Sequence, residues 1–131
     1  MSGVQQVVFQ NQRSFGPFDL VGEYMVVAGG GSGGEDAGGG GGAGGYLAAA
    51  SQTFTLGTTY SITVGAGAPS SSQKGNDSSF SVINTDGGGI GGGGPSAGSG
   101  GSGGGGRRGA AGAAGTVGPG FDGEQGTNVL S

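Results

Sequence analysis

Glycine recurs at every third position through the C-terminal third of the chain. Gly88, Gly91, Gly94, Gly100, Gly103, Gly106, Gly109, Gly112, Gly115 and Gly118 share one register, interrupted only at Ala97. The phase slips at Pro119, after which Gly120, Gly123 and Gly126 carry it on. A shorter copy stands upstream at Gly30, Gly33, Gly39, Gly42 and Gly45, broken at Asp36. Three residues per turn is the repeat of the polyproline II helix, which rises about 3.1 Å per residue and has no internal hydrogen bonds. Glycine along one edge lets neighbouring backbones approach until their N–H and C=O groups pair. Collagen shares the period but fills the other positions with proline, and only Pro95 and Pro119 stand in this region. The register therefore predicts polyglycine II helices packed side by side; the period alone leaves open whether they pack within a chain or between chains. A flexible Gly/Ser linker has no reason to keep phase. Here Arg107-Arg108, Ala110-Ala111, Ala113-Ala114 and Thr116-Val117 all fall between register glycines. On this reading Gly109→Val blocks the packing.

Composition narrows the function classes. Glycine supplies 40 of the 131 residues, while Leu, Ile, Val and Phe together supply 23, too few for a conventional core. Low hydrophobicity with high charge signals disorder, but charged residues are only 9% of this chain and the formal charge is −4. Cysteine, histidine and tryptophan are absent, which excludes thiolate or imidazole metal sites and His- or Cys-based catalysis. Four basic residues against eight acidic ones neutralise few phosphates, so nucleic acid is not an expected partner. No basic stretch followed by an apolar run opens the sequence. The longest apolar run, Met25-Val26-Val27-Ala28, is far short of a bilayer span. Cytosolic synthesis without membrane insertion is the expectation.

The chain divides into three parts. Residues 1–22 carry ordinary composition, with Val7, Val8, Phe9, Phe15 and Phe18 as candidate docking residues in a terminal strand or attachment segment. Residues 23–86 hold the strand signals: 23–28, 44–50, 53–56, 60–64 and 79–83. Phe54 and Leu56, then Tyr60, Ile62 and Val64, recur at every second position, with Gly57-Thr58-Thr59 placed for a hairpin turn between them. Residues 87–131 form the glycine-every-third region. No window has helical periodicity, and glycine is too frequent to sustain an α-helix. The predicted fold is all-β or irregular: short antiparallel strands plus packed polyglycine II helices, without α-helix.

Chemistry-bearing motifs are scarce. GxGxxG patterns occur throughout the glycine tracts, and none opens a helix after a strand; GxxxxGK[ST] does not occur. Glu35-Asp36, with Asp77, Asp86 and Asp122, offers oxygen ligands, but without the spacing of a calcium loop; solvated loop charges are the expected reading. The serines have no histidine or lysine partner for activation, so neither an enzyme nor a cofactor is predicted. Arg107-Arg108 is a basic pair suited to an anionic glycan or a neighbouring carboxylate, or else a solvated pair between glycines.

Several stretches carry a family resemblance. VVAGGG at 26–31, GGGGGAGGYL at 38–47, TYSITVGAGA at 59–68 and GNDSSFSVINTDGGGIGGGG at 75–94 are together similar to the glycine-rich domain of bacteriophage tail and tail-fibre proteins. The leader VQQVVFQNQRSFG at 4–16 resembles the start of a small phage structural protein. The resemblance implies a virion component in a tail or fibre, made in the host cytoplasm. It implies self-association as a trimer or higher assembly and contact with other virion proteins. In phage adhesins built from stacked polyglycine II helices, receptor specificity lies in loops between tracts. Carried onto this chain, those loops are 32–37, 69–79 and 107–108, with Glu35, Asp36, Ser71, Gln73, Lys74, Asn76, Arg107 and Arg108 as candidate contacts to a host-surface glycan or protein. The alternatives are a capsid decoration or extracellular filament protein, and an ice-binding polyglycine II protein.

Overall fold

A computed structural model describes residues 19–94, 96–116 and 120–126. The candidate docking residues Val7, Val8, Phe9, Phe15 and Phe18 lie outside the described residues. Five strands are present: β1 (Asp19–Val27), β2 (Tyr46–Thr55), β3 (Ile62–Thr63), β4 (Ser78–Phe80) and β5 (Ile83–Thr85). β1 and β2 form one antiparallel pair, and β3-β4-β5 form a second small antiparallel sheet. The described residues contain no helix. The all-β, irregular fold class expected from the glycine frequency is the one observed.

The strands do not end in loops; they pass into polyglycine II without losing register. β1 faces β2 with Val27 opposite Tyr46. The same pairing continues as Ala28 N–H to Gly45 O (3.0 Å), Gly31 to Gly42 (2.8 Å) and Gly34 to Gly39 (2.9 Å). Bonded donors thus recur at every third residue, where a β ladder bonds at every second. The cause is the change in sequence at Ala28, where β-branched and aromatic residues give way to glycine and nothing holds the two-residue pleat. The same continuation occurs twice more. Ile62 opposite Phe80 extends to Asn76 N–H on Ala66 O (3.0 Å), and Ser78 opposite Thr85 extends to Gly75 N–H on Gly88 O (2.9 Å).

The tracts then pack as a lattice in which each turn of the helix addresses a different neighbour. In residues 28–34, the N–H groups of Ala28, Gly31 and Gly34 bond the returning arm 39–45, while those of Gly29 and Ser32 bond Asn76 and Gln73. The arm 39–45 in turn donates at Gly39, Gly42 and Gly45 to Gly92, Gly89 and Asp86 (2.7–2.8 Å). Residues 86–93 sit at the centre, bonded to 28–34, 39–45, 73–77 and 98–105. A Cβ on Gly87, Gly88, Gly89 or Gly91 would lie closer than 3.0 Å to a carbonyl oxygen of a surrounding tract. Glycine at nearly every position, broken only at Ile90 between Gly87 and Gly93, is therefore the mark of this interior tract. Residues 110–116 lie at the edge: Gly112 and Gly115 face 120–126, and Ala110, Ala111 and Ala114 are exposed. Glycine at every third position marks a tract crowded on one side only.

The period left open whether the tracts pack within or between chains; among the described residues the register from Gly88 to Gly115 reverses through turns after Gly94, at 100–102 and at 107–110, and its tracts pack within the chain. Three sequence expectations need correction. Gly109 stands in one of those turns at φ +73° with no atom within 4 Å of its Cβ position, so a side chain there does not meet a packed neighbour. Residues 53–56 and 60–64 do not form a hairpin with each other: β2 pairs with β1, and β3 with β4. The bond from Thr58 N–H to Thr55 O makes a corner between two sheets, held by the Phe54 and Tyr60 rings, which meet edge-on at 5.6 Å. The run 79–83 is also not one strand. It turns at Ser81 (φ +54°), leaving Val82 89% exposed at the tip of the β4-β5 hairpin.

Side chains contribute little to the interior. Among the described residues the only buried hydrophobic one is Ala28. The strand end is held by Tyr24, Phe54, Tyr60 and Phe80, whose ring centroids lie 5.6–5.8 Å apart where the two sheets meet. Tyr60 Oη accepts the Thr55 N–H at 2.8 Å.

Candidate functional site

The directions of the tracts sort the loops to two ends. Residues 28–34 leave β1 and reach the turn at 35–37. Residues 86–93 run parallel to them, with Gly88 and Gly91 donating to Gly29 and Ser32, and reach the turn at 93–97. Residues 101–107 run parallel to 86–93 through Gly89 to Ser102 and Gly92 to Gly105, and end at Arg107-Arg108. Residues 65–68 leave β3 in the same direction for the turn at 69–72. All four turns therefore lie at the end away from the strands, called distal below. Their contacts are continuous: Ser71 Oγ donates to Glu35 Oε1, Gly93 lies against the Glu35 backbone, and Arg107 Nη1 donates to the Gly93 carbonyl at 3.1 Å.

Seven of the eight candidate contact residues are drawn to this end although they are spread over more than seventy positions of sequence. Glu35 and Asp36 occupy the first turn, exposed, with Asp36 at φ +50°. Ser71 caps Glu35, and Gln73 is tied to Ser32: its N–H donates to Ser32 Oγ (2.9 Å) and its carbonyl accepts from that hydroxyl (3.1 Å). Lys74 follows, exposed on the flank. Arg107 and Arg108 are exposed on the opposite side of the distal surface. Asn76 is the exception. Its N–H and carbonyl bond Ala66 and Gly29 inside the lattice, so it belongs to a tract near the strands rather than to a loop.

The acidic residues weighed as oxygen ligands have backbone work instead. Asp77 Oδ1 accepts the Gly87 N–H and Asp122 Oδ1 accepts the Gly115 N–H, each at 2.8 Å, while Asp86 Oδ2 accepts the Thr116 hydroxyl at 2.9 Å. Asp77 and Asp122 stand where a neighbouring tract presents an N–H without a carbonyl acceptor among the described residues, and carboxylate acceptors make such bonds strong, whereas the Thr116 hydroxyl also reaches the Gly100 carbonyl. Among the described residues no three acidic side chains gather as a metal site. These capping roles leave no signal in the sequence, because they depend on which tracts become neighbours.

One distal feature was not anticipated. A groove of about 460 Å³ opens between 92–94 with 96–97 and 110–112, lined among the described residues by Arg107, Ser96, and glycine and alanine. The motif Arg107-Arg108 pointed to the region, while the groove itself arises from the turn at 93–97.

Comparison with known proteins places this architecture. The family model described as the glycine-rich domain matches residues 20–129, and the chain belongs to that family. The match spans both strand pairs and all the polyglycine II tracts, so the family unit is the entire described structure. No curated protein and no solved structure gives a significant match.

Proposed function

We propose that the chain is a non-enzymatic structural protein of a bacteriophage virion, a tail-fibre or attachment component whose distal turns contact the host surface. The observation that carries this reading is the segregation of loops. Short polar turns with both signs of charge gather at one end of a bundle stiffened by backbone hydrogen bonds. The chain enters β1 at Asp19, opposite Thr55, at the other end. A rigid scaffold that presents variable loops far from its point of attachment is the arrangement recognition surfaces use. Resemblance of the tracts to phage tail glycine-rich domains supplies the virion context.

The test has two parts. Antibody to the chain, applied to purified particles of the encoding phage and viewed by electron microscopy, is expected to label the tail or its fibres; label confined to the capsid, or absent, overturns the reading. The purified chain is expected to bind host cells, and Glu35→Ala with Asp36→Ala and Arg108→Ala is expected to weaken that binding at least tenfold without lowering the melting temperature. Unchanged binding removes the distal turns from the contact.

A further inference from the structure

The distal groove has the donors of an anion site, and no carboxylate stands among its described lining residues, although Glu35 and Glu124 adjoin Gly93 and Gly112 from outside. Its lining residues are Gly92–Gly94, Ser96, Ala97, Arg107, Ala110, Ala111 and Gly112, without a carboxylate among them. Arg107 is held at the wall by one bond, Nη1 to the Gly93 carbonyl at 3.1 Å. A guanidinium has five donors in a rigid planar fork, so most of the fork stays free while that bond keeps it at the groove wall. Among the described residues, nothing accepts the N–H groups of Gly93, Gly94, Ser96, Ala97, Ala111 or Gly112. Successive free backbone amides beside a fixed cation are how concave backbone recognises anions. Apart from Arg107 and the Ser96 hydroxyl, the described lining carries only hydrogen or methyl, and about 460 Å³ falls in the range of small-ligand sites.

We propose that this groove binds a saccharide bearing a carboxylate or phosphate group, with the anion on the Arg107 fork and neighbouring amides and the sugar over Ala110 and Ala111. The proposal rests on the reading of the distal end as a contact surface, and names the chemistry that surface selects. Arg107 and Arg108 separate in role: Arg107 lines the groove and is tethered, whereas Arg108 is not part of the lining.

The test is titration of the isotopically labelled full chain with glucuronate, glucose 6-phosphate and glucose, followed by amide NMR shifts at constant ionic strength. Both charged sugars are expected to shift Gly93, Gly94, Ser96, Ala111 and Gly112, and glucose is expected to leave them in place. The tighter of the two charged sugars identifies a carboxylate or a phosphate as the natural group. Arg107→Gln is expected to weaken binding at least tenfold, Arg107→Lys to recover part of it because charge remains without the fork, and Arg108→Gln to change it less than twofold. Unchanged melting of the Arg107 variants keeps the comparison interpretable. Shifts that survive Arg107→Gln, equal binding of glucose, or no shift from either charged sugar overturn the proposal. If host-cell binding fails while these titrations succeed, the attachment reading falls and the anion site stands; the reverse result removes the site alone.

Discussion

At the scale of the residue, two populations of glycine behave oppositely, and substitution separates them. Gly88 and Gly42 have no space: a Cβ on either lies closer than 3.0 Å to backbone oxygen of another tract. Backbone cannot rotate away as a side chain can, so Gly88→Ala is expected to destabilise by about 3 kcal/mol or more, read as loss of the cooperative melt. Gly40 has no atom within 4 Å of its Cβ position and no positive φ. Gly40→Ala removes freedom from the unfolded chain only, and is expected to stabilise by about 0.4–1 kcal/mol in the same melt. Gly109→Val is a third case. Its cost is conformational, about 1–3 kcal/mol for a β-branched residue held at φ +73°, with the packing of the tracts left intact. The period alone does not separate crowded from open glycines, because Gly33 and Gly42 share one register and only Gly42 is crowded.

At the scale of the element, the period of three was readable and the pairing was not. Gly120, Gly123 and Gly126 were expected to resume the register after the slip at Pro119, and they do, each facing backbone oxygen of residues 101–107. What the sequence hid was the folding back at 107–110, which falls within the register without breaking it; the reversal after Gly94 coincides with the one break, at Ala97. The missed partner of β2 has a similar cause: alternation in 53–56 and 60–64 was real, but alternation states which face is covered and not which strand lies beside it. Hydrogen exchange checks the lattice directly. The amides of Gly42 and Gly89, bonded to Gly89 O and Ser102 O, are expected to exchange slowly, and those of Gly33 and Gly40, which lack an acceptor among the described residues, quickly. The aromatic junction is the second element to test. Phe80 meets Tyr24, Phe54 and Tyr60 at once, so Phe80→Ala is expected to cost about 2–4 kcal/mol in the melt and to uncouple the two sheets. Amide protection is then expected to fall at the strands before it falls at Gly42 and Gly89.

At the scale of the whole molecule, the two ends differ in what they offer to other molecules. The distal end is polar. The strand end exposes Val21 (61%), Met25 (67%), Val27 (46%) and Tyr46 (44%) on the outer face of the β1-β2 pair. Apolar side chains grouped on one sheet face favour association, and the chain is proposed to assemble with itself through this face. Sedimentation velocity is expected to show a larger species growing with concentration, and Met25→Lys with Val27→Glu to return the chain to a monomer with its melt preserved. A monomer at every concentration sinks that part of the proposal.

The unshifted passage from strand to polyglycine II has a consequence for how such molecules change length. Because pairing keeps one register from the strand junction through each glycine tract and repeats there every three residues, adding three residues to each arm restores every donor to its former neighbour and displaces the turn outward by about 9 Å. Insertions of one or two residues rotate the arm and turn a side-chain position into the crowded interior. Length variation among relatives is therefore expected to come in multiples of three per arm, matched between the arms that face each other. The two ends of the molecule can be spaced farther apart in fixed steps while each keeps its own chemistry.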